Sequence, residues 1–108
     1  SPVDAVVEFI VNDCNTAAEL LHDRDVWAST DTGRATRIAA LALKSRALLY
    51  LASPLYNGCS MFAELKDPID GTPLINQTYS DQKWIDAKDA AIAAITAATS
   101  FMITMKIP

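Results

Sequence analysis

Residues 34–52 form a run in which small and apolar side chains occupy almost every turn of a helix, and the run stops at Ser53-Pro54. The positions in register recur at steps of three and four, the period of an α-helix: Ile38, Leu41, Ala42, Ser45, Leu48, Leu49 and Ala52. Leu43, Ala47 and Leu51 widen the stripe until the helix is apolar nearly all round, and such a helix is normally buried between neighbours. Proline disfavours the helical state in the preceding residue, so the helix ends there.

A first helix is predicted over residues 1–22, where apolar residues recur at the helical period. Ser1 is expected as the N-cap, Pro2 as the first helical residue and Asp4 as the acidic residue that bonds back to the cap. Residues 23–33 are rich in turn formers and predict a connecting loop. Asp31 or Thr32 is expected to cap the second helix.

A third helix is predicted to begin after Ser80 as N-cap, with Tyr79 and Trp84 as a hydrophobic staple. Trp84 is expected in the core, because it heads the apolar stripe of this helix: Trp84, Ala87, Ala91, Ile95, Ala98 and Met102. From 101 to 107 the residues alternate in polarity, which predicts an extended tail.

Between the second and third helices, residues 55–80 carry several Asn-Gly, Asp-Pro and Asp-Gly turn signals, so a long irregular loop is predicted. Loops of this length are uncommon in compact domains and are often functional or packed by a partner segment. At 108 residues, the chain is expected to form one domain over 1–108. The fold class predicted is all-α, with about three main antiparallel helices and small residues at their contacts.

Composition and charge argue against several classes of protein. Charged residues make up 20% of the chain and hydrophobic ones 51%, which is typical of a globular protein rather than a disordered one. The net charge of −4 and the scattered lysines and arginines argue against nucleic-acid binding. No apolar run approaches the roughly 20 residues of a membrane helix.

The residues that carry chemistry in enzymes do not group in this sequence. No nucleophile motif, metal-binding motif or carboxylate pair is evident, so we expect no enzyme activity, cofactor or metal site. His22 is the single histidine and is expected to be a structural cap near a helix C-terminus. Cys14 lies on an apolar helix face and Cys59 in the loop, and both are expected to stay unpaired.

Three blocks carry a resemblance to a known family. Residues 33–58 read GRATRIAALALKSRALLYLASPLYNG, residues 6–21 read VVEFIVNDCNTAAELL, and residues 83–95 read KWIDAKDAAIAAI. In this order and spacing they resemble the SusD/RagB family of outer-membrane nutrient-binding lipoproteins of Bacteroidetes. The family usually has proline where this chain has His22. Its lipoprotein signal, early sugar-site segment and C-terminal region have no counterpart here, so we expect the chain to be a piece of a larger protein.

The resemblance implies a tetratricopeptide-like helical scaffold. It also implies a lipid-anchored parent protein on the extracellular face of the outer membrane, which captures an oligosaccharide and delivers it to a TonB-dependent, SusC-like transporter. The alternative function is a helical protein-interaction module without glycan binding. The isolated chain would then form a homo-oligomer through exposed apolar helix faces.

Few residues qualify as contacts for a sugar. Aromatic faces stack on sugar rings and amides bond hydroxyls, so Trp27, Tyr56 and Asn57, in or beside loops, are the candidate ligand-binding residues. Anchoring of the loop is the alternative role for Tyr56 and Asn57. The cations of the second helix scatter around its axis, so structural or solvated roles are expected for them: Arg34, Arg37, Lys44 and Arg46.

Overall fold

A computed structural model describes residues 2–21 and 35–105, and the fold is all-α as predicted. The helices are α1, Val3–Leu20, α2, Arg37–Ala52, and α3, Asp81–Met105. A single 3₁₀ turn, Ser60–Phe62, interrupts the long irregular segment between α2 and α3. Within the described ranges there is no strand beyond one isolated bridge between Lys66 and Pro73.

The start of α1 differs from the predicted one. Its N-cap is Pro2, in an extended conformation and with no side-chain cap bond, and Ser1 lies outside the described residues. The amide of Val3 instead donates to the carbonyl of Leu74 at 2.8 Å. Because a distant loop carbonyl satisfies this first-turn donor, the helix needs no capping hydroxyl.

The ends of α2 follow local chemistry, although its start was placed too early. The N-cap is Thr36, whose hydroxyl accepts from the Ala39 amide at 3.2 Å. The predicted start at 34 and the predicted caps at 31 and 32 are therefore wrong, and those three positions lie outside the described residues. The C-terminal prediction is confirmed: Ser53 is the C-cap, and its hydroxyl donates to the Tyr50 carbonyl at 2.6 Å.

The third helix begins at Asp81, directly after Ser80, as predicted. It continues to Met105, so the extended tail expected from 101 is wrong for residues 101–105, and residues 106–108 lie outside the described ranges. Extending an existing helix adds one hydrogen bond for each residue that is fixed. This gain outweighs a short alternating pattern that has no strand to pair with.

The helices lie side by side, with α2 packed against both α1 and α3. Lys83 near the start of α3 pairs with Asp4 near the start of α1, at 3.1 Å. Asn57, just after α2, bonds Ser80 just before α3. The starts of α1 and α3 therefore lie at the same end as the finish of α2, so α2 runs antiparallel to both neighbours.

The buried apolar residues of the described ranges are few and mostly small: Cys14, Ala40, Leu51, Ala52, Ile75, Ala87 and Ala90. Alanines at the α2–α3 contact let the two backbones approach closely, as the sequence predicted. Cys14 and Cys59 are both free thiols, which confirms the expectation that they are unpaired. A core of this composition buries little apolar surface, so it contributes little hydrophobic stabilisation for a chain of this length.

Two predictions about burial are wrong. Leu43, Leu49 and Tyr50 are each about half exposed, so α2 is not enclosed all round. Trp84 is 41% exposed and Ile95 64%, so the buried face of α3 is made by its alanines. The physical reason is the flat arrangement: the smallest dimension is 17 Å, so within residues 2–21 and 35–105 no further layer covers the side chains above and below α2.

The overall dimensions also show that the chain is less compact than a globular domain of its length. The radius of gyration is 17.4 Å, whereas a compact domain of this length has about 13 Å. The accessible surface is 7467 Å² for a chain of 11.7 kDa, whereas a compact monomer of that mass exposes roughly 5,900 Å². The chain thus exposes about 1,600 Å² more surface than a compact monomer of its mass.

Candidate functional site

The polar side chains gather where the 53–80 segment meets the starts of α1 and α3, a region called here the loop end. At its centre is Asn57, which is only 4% exposed. Its side-chain oxygen accepts from the Ser80 amide at 2.8 Å, and its nitrogen donates to the carbonyls of Ser80 at 3.1 Å and Ala52 at 3.4 Å. Three of the four hydrogen-bonding positions of this amide are therefore used within the chain.

Gly58 extends this connection to the backbone before α3. Its φ of +86° lies in the left-handed region, and its amide donates to the Asn76 carbonyl at 3.1 Å. An added Cβ would lie 3.2 Å from the Tyr79 amide nitrogen, closer than most real contacts. Both observations explain the glycine: the backbone has a positive φ, and a Cβ would fit only if the Tyr79 backbone moved slightly away.

Lys83 holds the three elements of the loop end together. Its ammonium group pairs with Asp4 at 3.1 Å and donates to the Tyr56 carbonyl at 3.1 Å, and its side chain is 11% exposed. The second Asp4 oxygen accepts from Asn76 at 3.2 Å. Asp4, expected to bond back to its own helix cap, thus bonds to α3 and to the loop instead. A small depression of about 290 Å³ lies beside it.

A second feature is an apolar trough between the first two helices, called here the α1–α2 groove. Its volume is about 390 Å³. Its walls come from α1, from α2 and from the start of the irregular segment: Val3, Val7, Ile10, Leu43, Arg46, Ala47, Tyr50, Leu51 and Tyr56. Arg46 is the one ionisable cation among these residues, so the groove is an apolar surface with a single charge.

Arg46 and Tyr50 form a pair at this groove. The guanidinium Nε donates to the Tyr50 hydroxyl at 3.0 Å, and the guanidinium carbon lies 5.6 Å from the centre of the Tyr50 ring. The hydrogen bond to Tyr50 raises the pKa of Arg46 above its ordinary value. The pair therefore holds the guanidinium, which is charged with or without this partner, against an aromatic face.

Two exposed aromatic residues at the start of α3 were not recognised as surface features from the sequence. Tyr79 is 58% exposed and Trp84 41%. A hydrogen bond from the Tyr79 hydroxyl to the Asp81 carboxylate raises the pKa of Tyr79, an effect that Trp84 partly opposes. The staple pattern could have identified the pair, but the sequence carried no sign that nothing would cover it.

The structure places the predicted site residues in different parts of the molecule, and some of them lie outside the described ranges. Trp27 lies outside the described residues, as do His22 and Arg34. Tyr56 lines the α1–α2 groove and also binds Lys83 through its carbonyl. Asn57 is buried in internal hydrogen bonds, which corresponds to the alternative role of anchoring the loop.

The described residues offer hydrogen-bonding groups at the loop end and apolar side chains at the groove. Across residues 2–21 and 35–105, no three His, Cys, Asp or Glu side chains come together as ligands for a metal ion. Over the same ranges, no helix combines the length and the apolar character needed to cross a bilayer. The described surfaces are a hydrogen-bonded loop end and an apolar groove.

Comparison with known proteins finds a relative among solved structures. The chain is similar to BT4246, a Bacteroides thetaiotaomicron protein, with 38% identity and a TM-score of 0.75 over 89% of this chain. A selenomethionine form of BT4246 gives 37% identity and a TM-score of 0.74. The aligned part is 17% of the BT4246 chain in the first case and 16% in the second. No family model and no curated protein matches the chain.

Proposed function

We propose that the chain is the helical scaffold of a SusD/RagB-like protein that binds oligosaccharide without catalysis. The longer protein would be lipid-anchored at the extracellular face of the outer membrane. It would capture a glycan and pass it to a TonB-dependent, SusC-like transporter. The scaffold's part in this mechanism is mechanical: it holds loops in fixed positions so that ligand-contacting residues elsewhere are preorganised.

The observation that carries this proposal is the similarity to BT4246, at 38% identity over 89% of this chain. The chain spans only 17% of BT4246, so glycan binding is proposed for the longer protein. The three sequence blocks that resemble the SusD/RagB family cover α2, most of α1 and the first half of α3. Family resemblance and structural similarity therefore involve the same helices.

The arrangement of polar groups supports a scaffold role for the described residues. Asn57 and Lys83 use their hydrogen bonds to join helix ends, which leaves little capacity for sugar hydroxyls. Tyr56 keeps an aromatic ring at the groove, and Trp27 remains a candidate by sequence alone. Most of the ligand contacts are therefore expected outside this chain.

Calorimetric titration of the full-length longer protein with a panel of plant, host and storage oligosaccharides tests the proposal. We expect saturable binding of at least one glycan and no turnover of it. Tyr56→Ala is compared with Tyr50→Ala, since both rings lie at the groove but only Tyr56 begins the loop. Binding of a protein with no binding of any glycan would overturn the proposal.

A second candidate function is a helical protein-interaction module. The surplus of exposed surface and the half-exposed leucines of α2 favour it. In that case the isolated chain would associate through its apolar faces. Analytical ultracentrifugation of this chain measures the association, and a monomer at high concentration would count against it.

A further inference from the structure

Asn57 and Gly58, at the centre of the loop end, form the single Asn-Gly pair of the sequence. In such a pair the glycine amide nitrogen attacks the carbonyl carbon of the asparagine side chain, because glycine has no Cβ to obstruct it. The new C–N bond closes a five-membered succinimide ring, and the side-chain nitrogen leaves as ammonia. Water then opens the ring at either carbonyl, which leaves aspartate or isoaspartate. A structural joint of this chain is therefore built on the asparagine pair that deamidates most readily in unstructured peptides.

The fold favours both members of this pair. Gly58 has a φ of +86°, and a Cβ at this position would lie 3.2 Å from the Tyr79 amide nitrogen, so glycine fits with the least strain. The Asn57 side chain accepts from the Ser80 amide at 2.8 Å and donates to the Ser80 carbonyl at 3.1 Å. A carboxylate could make the first of these bonds but not the second. The residues that close the loop end are thus also the residues that react with each other.

The closed loop end opposes the reaction at three points. The Gly58 nitrogen has to give up its proton before it attacks, and its N–H donates to the Asn76 carbonyl at 3.1 Å. The Asn57 side chain is held by its bonds to Ser80, so its carbonyl carbon is not free to turn toward the Gly58 nitrogen. Asn57 is also only 4% exposed, so little water reaches the departing ammonia or the ring. Reaction therefore requires the loop end to open first.

We propose that Asn57 is a latent deamidation site, which stays inert while the loop end is closed and is converted irreversibly once it opens. An aspartate at this position keeps an acceptor for the Ser80 amide, but it places a carboxylate against the carbonyls of Ser80 and Ala52 where a donor is needed. Isoaspartate also lengthens the backbone before Gly58 by one carbon. Both products therefore keep an opened loop end from closing again. Glycan binding by the longer protein plays no part in this reaction, so the titration above neither supports nor excludes it.

Peptide-mapping mass spectrometry measures deamidation of the chain during incubation in mildly alkaline buffer, with a synthetic peptide of residues 53–62 as the unprotected reference. We expect Asn57 to react at least about tenfold more slowly in the chain than in the peptide. Opening is fast relative to this slow reaction, so the rate follows the fraction of open molecules. Hydrogen exchange of the Gly58 amide reports the same opening, and its protection factor is expected to match the slowing of deamidation within about tenfold. Equal rates in chain and peptide, or a slowing far below the protection factor, would overturn the proposal.

Two lysines of α3 test whether the loop end controls the rate. Lys83 is 11% exposed and binds Asp4 and the Tyr56 carbonyl, each at 3.1 Å, so it holds the residue next to Asn57. Lys83→Gln is expected to speed deamidation at least about fivefold, because charged hydrogen bonds of the closed form are lost. Lys88→Gln, at a 66% exposed position of the same helix, is the matched control and is expected to stay within about twofold. Circular dichroism checks that both variants keep their helices, and equal rates in the two would overturn the proposal.

A third variant tests the consequence of the reaction. Asn57→Asp reproduces one product, and its Gly58 amide is expected to exchange at least about tenfold faster than in the natural chain, because the loop end no longer closes. Asn15→Asp makes the same chemical change at an exposed position of α1, and the Gly58 exchange rate is expected to stay within about twofold. Unchanged exchange in Asn57→Asp would overturn the irreversible opening.

Discussion

The loop end and the α1–α2 groove differ in how their side chains are satisfied. At the loop end, the polar groups of Asn57 and Lys83 have partners within the chain. In the groove, Leu43 and Tyr50 are half exposed, although apolar side chains are most stable away from water. The loop end is therefore complete in itself, whereas the groove keeps surface that a further segment can bury. The loop end therefore contributes to the stability of the fold, whereas the groove is the surface available for an interaction.

Removing the central amide of the loop end is expected to have the largest effect. Asn57→Leu leaves the Ser80 amide, the Ser80 carbonyl and the Ala52 carbonyl without their partner. We expect a loss of about 3 kcal/mol in the free energy of unfolding by urea. Asn15→Leu, at an exposed position of α1, is the control and is expected to change it by under about 0.5 kcal/mol. Equal effects of the two would show that Asn57 does not hold the helix ends.

Two leucines of α2 differ in exposure, and substitutions at them compare the buried side of the helix with its open side. Leu51 is 9% exposed and Leu43 53%. Leu51→Ala is expected to lower the free energy of unfolding by about 2 kcal/mol, because it opens a space in the small core. Leu43→Ala is expected to cost less than about 1 kcal/mol in the same urea titration. A larger loss at Leu43 would mean that the groove is closed in solution.

Alanine substitutions at Gly58 and Gly71 test how tightly the loop end is packed. Gly58 and Gly71 both have positive φ, at +86° and +74°, but only Gly58 would place a Cβ against another residue. Both alanine variants are expected to lose about 1 kcal/mol from backbone strain. Gly58→Ala is expected to lose about 1 kcal/mol more from the approach to Tyr79. Equal melting temperatures of the two variants would contradict this.

The smallest expected effect is on a titration. Because the Asp81 carboxylate accepts from Tyr79, the folded pKa of Tyr79 is raised, and the hydrogen bond stabilises the fold at neutral pH. That stabilisation is lost as the pH rises past the ordinary tyrosine pKa and through the raised one. Asp81→Asn is expected to lower the pKa of Tyr79, measured by absorbance titration against Tyr79→Phe. An unchanged Tyr79 pKa would remove Asp81 as the cause.

Local chemistry in the sequence predicts much of this fold. Pro54 marks the end of α2 and Ser80 the start of α3, because capping and proline effects act within a few residues. The start of α1 could not be derived in this way, because its first amide bonds Leu74 from a distant loop. Helical periodicity likewise indicates which face is apolar, but not whether another layer covers it. That is why Trp84 was placed in the core.

The candidate site was harder to predict for the same reason. Asn57 follows a helix end and precedes Gly58, a pattern that predicts a turn but does not reveal its partner 23 residues later. The Asp4–Lys83 pair joins residues 79 positions apart. Only the folded arrangement brings such residues together. The α2 wall of the groove includes Leu43, Ala47 and Leu51, which the sequence shows as a widening of the apolar stripe, but the sequence did not predict that this face would be open.

The most direct test of the open groove is nuclear magnetic relaxation of methyl groups by a soluble paramagnetic chelate. Leu43 and Leu51 lie two turns apart on α2, at 53% and 9% exposure. We expect strong relaxation of the Leu43 methyls and little at Leu51 in the monomeric chain. Equal protection of both leucines would contradict the account, because the groove would then already be covered.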